Sequence, residues 1–273
     1  MSAPVLTDRH ALSLHRRRAV ASPDPAFFLL EEAADEIKER LLSVNRRFTA
    51  PVLISGFPDF WAGALPDLPQ SPDLPLLKLA PGSQDAVIHA MSLHWADDPV
   101  GQMVQGFRAL KPDGLFLALL FGGQTLHELR ACLAEAEAEI SGGLSPRILP
   151  MAEIRDLGAL LQRAGFALPV ADSFTRKVAY RDIFHLMSDL RAMGETNALA
   201  ARLRRPTSRA LFLRAGEIYR QNFPAAGDRI EATFEVICLT GWTPHESQQK
   251  PLRPGSARAR LADALRATEH RLP

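Results

Sequence analysis

The fold is decided by "DAVIHAMSLHWADDPVGQMVQGFRALKPDGLFLALLFGG", residues 85–123. Its apolar runs at 85–91 and 115–121 are short and continuous, which is typical of strands that are buried on both faces. The segment between them, residues 99–110, begins with a proline and predicts a helix. A strand, a helix and a second strand in this order predict one unit of a parallel sheet.

The sequence on either side extends this pattern. Residues 51–55, "PVLIS", predict another buried strand, and residues 229–242 predict a long last strand with one well-covered face. Helices are predicted at 25–44, 124–140, 151–165 and over most of 181–222, and extended segments at 166–174 and 176–180. The predicted fold class is therefore α/β, a doubly wound parallel sheet. We expect an N-terminal helical segment at 1–48, a main domain at 49–256 with a helical insertion at 181–228, and a tail at 257–273 with a short surface helix.

Composition and charge exclude several classes of protein. Apolar residues make up 47% of the 273 residues, enough for a sizeable core, and the formal net charge of +1 argues against nucleic acid as a partner. No segment has the roughly 18 apolar residues of a membrane span, and the charged N-terminus lacks the apolar core of a secretory signal. Cys132 and Cys238 fit buried thiols in a reducing compartment. We therefore expect a protein of the cytoplasm or the mitochondrial matrix, with no integral membrane segment.

Two further segments have simple interpretations. The run Arg16, Arg17 and Arg18 predicts a solvated helix face, with a docking patch as the alternative. Residues 65–75, "LPDLPQSPDLP", predict an extended linker, which could also cover an open edge of the sheet.

The predicted ligand site lies at one edge of the sheet. In doubly wound sheets ligands bind beyond the carboxyl ends of the strands, which here are Ser55–Gly56, Met91–Trp95 and Phe121–Gly123. The turn at Gly56 is unusual for such a site. A nucleotide-binding protein needs a glycine-rich turn there, whereas this chain continues with "FPDFW" at 57–61.

Longer segments carry a resemblance to a known family. "MSLHWADDP" (91–99) followed by "ALKPDGLFLALLFGGQTLHELR" (109–130) resembles class I S-adenosylmethionine (SAM) methyltransferases, from the fourth strand to just past the fifth. "GGLSPRILPMAEIRDLGALLQRAGF", "LMSDLRAMGETNAL" and "GWTPHESQQKPLRPGSA" resemble one branch, the methyltransferase-fold assembly factors of respiratory complex I. Mitochondrial members of that branch hydroxylate an arginine on a complex I subunit. A more distant resemblance is to the malonyl-carrier-protein O-methyltransferase of biotin synthesis.

The resemblance implies a Rossmann-like class I methyltransferase fold with an antiparallel last strand. It places strands two and three at one edge of the sheet, outside strand one. It also implies SAM as the cofactor, held by an acid and a Gly-x-Gly-x-Gly turn after strand one and by an acid after strand two that binds the ribose hydroxyls.

This chain departs from the family pattern after its first strand. Aligned on Gly56, the acid position is Ile54, and the second and third glycines become Pro58 and Phe60. The interval from Gly56 to Asp85 is too short for two further strand–helix units. We therefore expect a fold trimmed of strands two and three, with a degenerate cofactor motif.

Candidate site residues combine the strand ends with the resemblance. They are His94, Trp95 and His245 as catalytic or substrate-orienting residues; Gly56, Asp85, Ser92 and Leu93 for the cofactor; and Gly122, Gly123, Glu195, Asn197, Trp242, Glu246 and Gln248 for the substrate. His94 could act as a base near neutral pH.

Each candidate also has a structural alternative. Trp95 and His94 could simply pack and hydrogen-bond at the strand end, and Asp85 could orient the loop at the start of its strand. The loop 193–197 could be a helix break, and the loop after Trp242 a polar turn. Asp67 and Asp73 could replace the missing ribose acid, but turn roles are favoured for both.

Two hypotheses of different classes remain open. The first is a SAM-dependent methyltransferase-like protein that acts in complex I assembly on a protein substrate, such as a complex I subunit. The second is a non-catalytic pseudo-methyltransferase that binds a protein partner as a scaffold or chaperone. Residues 54–80 favour the second hypothesis, because they lack the glycine-rich turn and the acid that would bind the cofactor. No metal site is predicted, because the spacing of His185, His245 and Glu246 does not suit one.

Overall fold

The computed structural model describes residues 5–249, which form one mixed sheet with helices on both faces. The helices are α1 (Arg9–Val20), α2 (Phe28–Ser43), α3 (Pro58–Ala64), α4 (Pro99–Ala109), α5 (His127–Ser141), α6 (Ile154–Arg163), α7 (Ile183–Ala192) and α8 (Arg209–Asn222). The strands are β1 (Pro51–Ser55), β2 (Gln70–Pro72), β3 (Gln84–Ala90), β4 (Leu110–Phe121), β5 (Ala167–Tyr180), β6 (Pro224–Ala225) and β7 (Arg229–Trp242). A 3-10 turn covers Leu93–Trp95.

The order of the strands confirms the predicted fold class. It is β2-β1-β3-β4-β7-β5, with β6 paired to β7. The first four strands in this order are parallel, whereas β7 is antiparallel to both β4 and β5. This order, with a short edge beside β1, agrees with the arrangement that the resemblance to class I methyltransferases implies, and the helices α7 and α8 are inserted before the antiparallel last strand.

The trimmed edge is built from the proline-rich segment. Only the three residues of β2 pair in parallel with β1, from Leu53 opposite Gln70 to Ser55 opposite Pro72. The connection from β1 to β2 is the short helix α3, which begins at Pro58 because proline suits the first helical position. The segment predicted as a linker therefore supplies an edge strand that covers β1, and proline limits further pairing beyond it.

Alternate side chains of the central strands enter two different cores. On β4, Leu117 and Leu119 pack with α2, α5 and α8, whereas Phe116, Ala118 and Leu120 pack with α4 and α6. This alternation follows from the two-residue repeat of a strand. It explains why the apolar runs in the sequence are continuous, since both faces of the strand are buried.

The helix α1 lies against the body of the protein and is not a solvated arm. Asp8 caps it by accepting a hydrogen bond from the Ala11 N–H (3.1 Å), and the preceding Thr7 N–H donates to Asp97 (2.8 Å). Arg16 is buried, whereas Arg17 and Arg18 are exposed. The prediction of a solvated face is therefore wrong for Arg16.

Within residues 5–249, no helix is both long enough and apolar enough to cross a membrane. The surface helix predicted for the tail lies outside the described residues.

Candidate functional site

The end of β3 brings His94 and Trp95 toward the helical insertion. After Ala90 the backbone of Met91 takes a left-handed conformation (φ 48°), and the 3-10 turn follows. A positive φ is unfavourable for a residue with a side chain, so the surrounding packing must hold this turn in place. The side chains of His94 and Trp95 are buried at the turn.

Glu195, on the loop after α7, meets both of these side chains. Its Oε2 atom accepts a hydrogen bond from Trp95 Nε1 (2.8 Å) and lies 3.4 Å from His94 Nε2. Gly194 allows this approach, because its φ is +78° and a Cβ atom there would crowd the Phe57 ring (3.1 Å). The structure thus joins three of the predicted site residues, 100 residues apart in sequence.

The charge of Glu195 is set by these neighbours. Burial acts to raise the pKa of its carboxyl, but the hydrogen bond and charge of His94, the charge of Arg16 and the Trp95 hydrogen bond outweigh burial. The pKa of Glu195 is therefore lowered, and the group is a carboxylate at neutral pH.

A cavity of about 250 Å³ lies beside this carboxylate. Its walls are mostly apolar, and its volume lies below the roughly 300–1,000 Å³ of sites for drug-sized ligands. The polar residues in the lining are Thr125, Arg147, Arg191, Glu195, Thr196 and Asn197. The cavity is therefore suited to one long side chain rather than to a whole cofactor.

Other predicted residues lie near this cavity but are already engaged. Asn197 donates to the Pro146 carbonyl (2.9 Å) and accepts from the Leu199 N–H (3.0 Å), which stabilises the loop. The Cα atoms of Gly122 and Gly123 lie against the carboxylates of Glu235 and Glu153, and a Cβ at either glycine would overlap them. The two glycines therefore make room for protein side chains at the strand end.

Two of the predicted cofactor residues serve the core instead. Ser92 bonds to the ring of His89 (3.1 Å between Oγ and Nδ1), and Leu93 packs in the core between the sheet and α4. Asp85 lies at the opposite end of β3, where it accepts hydrogen bonds from the Thr49 and Ala50 N–H groups (2.6 and 3.0 Å). This position agrees with the alternative interpretation, in which Asp85 orients the loop at the start of its strand.

Trp242, His245, Glu246 and Gln248 lie at the far end of the sheet. Because β7 is antiparallel, its carboxyl end is beside the start of β4, where Trp242 faces Leu115. Gln248 donates to Asp113 (2.9 Å) in the turn before that strand. The length of β4 separates these residues from His94 by roughly 20 Å. The expectation that they share one site with His94 is therefore corrected by the direction of β7.

The turn after β1 carries the side chain of Arg16. Its guanidinium lies against Gly56, where any added Cβ atom would overlap it, and over the Phe57 ring (5.5 Å to the centroid). Nη1 of Arg16 binds Oδ2 of Asp73 at 2.8 Å, and Nη2 of Arg9 binds the other oxygen at 3.0 Å. We call Gly56, Arg16 and Asp73 the β1 cradle.

The arginines also set the charge of Asp73. Burial acts to raise its pKa, but the charges and hydrogen bonds of Arg16 and Arg9 outweigh burial and lower that pKa. Asp73 directly follows β2 and is not in a simple solvated turn, as its sequence context had suggested.

Comparison with known proteins identifies the family of this chain. The chain is similar to human "Arginine-hydroxylase NDUFAF5, mitochondrial", with 32% identity over 281 aligned residues that cover 92% of this chain and 80% of the relative. The chain belongs to this family. The NDUFAF5 relative of Dictyostelium discoideum is 44% identical over 182 residues, 66% of this chain and 42% of that protein. Malonyl-[acyl-carrier protein] O-methyltransferase of Methylovorus sp. (strain MP688) is 29% identical over 259 residues, 94% of this chain and 74% of that protein.

The alignments with NDUFAF5 proteins differ in how much of each relative they cover. The alignments with the Dictyostelium and Danio rerio proteins cover 42% and 56% of those relatives, so the chain spans about half the length of these curated relatives. No family model matches the chain. Among solved structures, the chain is similar to the YcgJ protein of Bacillus, with a TM-score of 0.48 and 12% identity over 78% of this chain and 99% of that one.

The β1 cradle does not fit SAM as it stands in this member of the NDUFAF5 family. The approach of a cofactor to the backbone at Gly56 requires free space over the Cα atom, and the Arg16 guanidinium fills that space. Both carboxylate oxygens of Asp73, which directly follows β2, are already paired with arginines.

One group of potential metal ligands is found among the described residues. Oxygen and sulfur atoms of Glu36, Asp172 and Cys238 lie within 4.8 Å of one another. The Arg40 guanidinium binds both carboxylates, at 2.6 Å to Glu36 and 2.5 Å to Asp172. A guanidinium therefore already occupies both carboxylates of this group, and burial raises the pKa of the Cys238 thiol to about 12.

Arg16 was the site residue that sequence reasoning missed. A signal for it does exist, because Leu12, Arg16 and Ala19 are spaced to share one face of α1, and all three are buried. Its partner Asp73 was considered and set aside, since a proline-rich context is ordinary for aspartate.

Proposed function

We propose that this protein acts in the assembly of respiratory complex I by binding an arginine side chain of a protein partner beside Glu195. A complex I subunit is the partner that the family resemblance favours. The observation that carries the proposal is an ionised carboxylate, fixed by Trp95, in an apolar cavity with room for one side chain. The name of the relatives, arginine hydroxylase, supports arginine as the residue recognised.

The chemistry of the cavity suits a guanidinium group. Oε2 of Glu195 is used by Trp95 and His94, whereas Oε1 accepts no hydrogen bond from the described residues. A guanidinium pairs well with a buried carboxylate, and the apolar walls can hold its aliphatic stem. Of the two arginines in the lining, Arg147 is neutralised by Glu137 (2.6 Å) and Arg191 is exposed to solvent, which screens its charge.

The role we propose does not use methyl transfer. The position of Arg16 in the β1 cradle supports a pseudo-methyltransferase that keeps the fold and the substrate-facing cavity. The compartment we propose is the cytoplasm or the mitochondrial matrix, where two unpaired cysteines, both buried here, stay reduced.

The experiment compares two small probes that differ in charge. N-acetyl-arginine amide and its neutral isostere, N-acetyl-citrulline amide, are titrated into the protein and followed by NMR. We expect millimolar binding of the arginine probe and at least about tenfold weaker binding of the citrulline probe. In Glu195→Gln, which can still accept the Trp95 hydrogen bond, the preference for arginine should disappear.

The matched control is Glu246→Gln, which removes an exposed carboxylate at the far end of the sheet. It should leave the preference unchanged. Equal binding of the two probes to the unaltered protein, or an unchanged preference in Glu195→Gln, would refute arginine recognition at this cavity.

A second candidate function is SAM-dependent methyl transfer. It is favoured by a cavity of about 990 Å³ beside Gly56, lined by α1, α3 and the end of β2. Calorimetric titration of the unaltered protein with SAM and S-adenosylhomocysteine decides between the two. Micromolar binding would favour the methyltransferase, and no heat at about millimolar ligand would favour the pseudo-methyltransferase.

A further inference from the structure

A second feature, outside the Glu195 cavity, is the Arg16 side chain that occupies the β1 cradle. Arg16 is 6% exposed, and its guanidinium contacts the three groups that a nucleoside would need: the Gly56 backbone, Asp73 and the adjoining aromatic ring of Phe57. All three contacts come from one side chain on α1. One substitution can therefore clear the space over Gly56 and free the Asp73 oxygen that Arg16 holds, while Arg9 stays paired with the other oxygen.

Asp73 is placed as an acid that a ribose could use. It directly follows β2, the strand that pairs in parallel with β1, and its carboxylate lies at the carboxyl edge of the sheet. Two vicinal hydroxyls can donate to the two oxygens of one carboxylate. In this structure Arg9 and Arg16 take those oxygens.

The contact of Arg16 carries a cost that an optimised structural ion pair would avoid. Its Nε and Nη2 atoms are buried and have no hydrogen-bond partner among the described residues. A buried donor without a partner is unfavourable, because it has lost its hydrogen bonds to water. The fold therefore leaves two of the donor atoms of Arg16 unsatisfied at this position.

The charge of the adjoining cavity also disfavours a cationic cofactor. Three arginines, Arg9, Arg16 and Arg17, line it together with Asp59 and Asp73. SAM itself carries a net positive charge, from its sulfonium and ammonium groups. Arg16 therefore opposes SAM both by volume and by charge.

We propose that α1 is a built-in cover of the cofactor site, with Arg16 as the group that occupies it, and that Asp73 is a latent ribose-binding residue. The loss of the second and third glycines of the turn narrows the cofactor site, and the Arg16 side chain closes it. A chain without the Arg16 side chain binds an adenine nucleoside with a ribose and a short apolar or charged tail, of which S-adenosylhomocysteine is the probe.

The test is calorimetric titration of the full chain with S-adenosylhomocysteine. The unaltered protein should give no heat at about millimolar ligand, whereas Arg16→Ala and Arg16→Leu should bind with a Kd of about 100 µM or tighter. Arg18→Ala, which removes an exposed arginine from the same helix, is the matched control and should behave like the unaltered protein. Thermal unfolding confirms that each variant is folded.

A second variant tests whether Asp73 is the acid that binds the ribose. Adding Asp73→Asn to Arg16→Ala should weaken binding at least about tenfold, because an amide accepts only one of the two ribose hydrogen bonds. A folded Arg16→Leu protein that binds no nucleoside overturns the proposal, as does a double variant that binds as well as Arg16→Ala. Neither outcome changes the comparison of arginine and citrulline probes at Glu195, so the two proposals fail separately.

Discussion

His89 should make the stability of this protein depend on pH. It lies on β3, is 1% exposed, and its ring bonds to Gln102 (2.8 Å) and Ser92 (3.1 Å). Gln102 in turn donates to the carbonyl of Leu74 (2.8 Å), next to Asp73. Burial lowers the pKa of His89 from 6.5 to about 4, against the opposing hydrogen bond of Gln102. The neutral ring thus helps to hold the segment that carries Asp73.

The size of the effect follows from the difference between the two pKa values. Between about pH 6.5 and pH 4 the unfolded chain binds a proton at His89 and the folded chain does not, so the free energy of unfolding falls as the pH falls. At about 1.4 kcal/mol for each pH unit, the full loss is about 3 kcal/mol, and about 2 kcal/mol is lost between pH 7 and pH 5. The contribution is fully present above the unfolded pKa.

Urea unfolding at about pH 7 and about pH 5 measures this loss for the unaltered protein and for His89→Gln. The glutamine variant has no titrating group at this position, so other ionisable groups cancel in the comparison. We expect the unaltered protein to lose about 2 kcal/mol more than the variant over this interval. If the two proteins lost the same free energy, the ring would not be held neutral by burial, and the explanation would be wrong.

Two further predictions test the core and the far end of the sheet. Burial raises the pKa values of the Cys132 and Cys238 thiols to about 12. Neither thiol should therefore react with a disulfide reagent at about pH 8 in the folded protein, whereas both should react in concentrated urea. Rapid labelling of the native protein would contradict this. Asp85→Asn should lower the free energy of unfolding by about 1–3 kcal/mol, because it weakens the hydrogen bonds from the two residues before β1. It should leave arginine binding at Glu195 unchanged. An effect on binding without one on unfolding would return Asp85 to the site.

The sequence by itself determined most of the elements and the class of the fold. The runs that form β1, β3 and β4, and the helices α2, α4, α5 and α6, were readable because burial on one or both faces imposes a local period on neighbouring residues. The segments shared with relatives identified the family, and they pointed to His94, Trp95 and Glu195 before any contact between them was known.

Only the tertiary structure decided which distant residues meet. The antiparallel direction of β7 moved Trp242 and its loop to the far end of the sheet, and β2 emerged from a proline-rich segment with no strand pattern. The ion pair of Arg16 with Asp73 joins residues 57 positions apart. Such contacts depend on how whole elements pack, because the period of a helix or strand reports which face is buried but not what lies against it. The occupant of the cofactor site was therefore visible only in the folded protein.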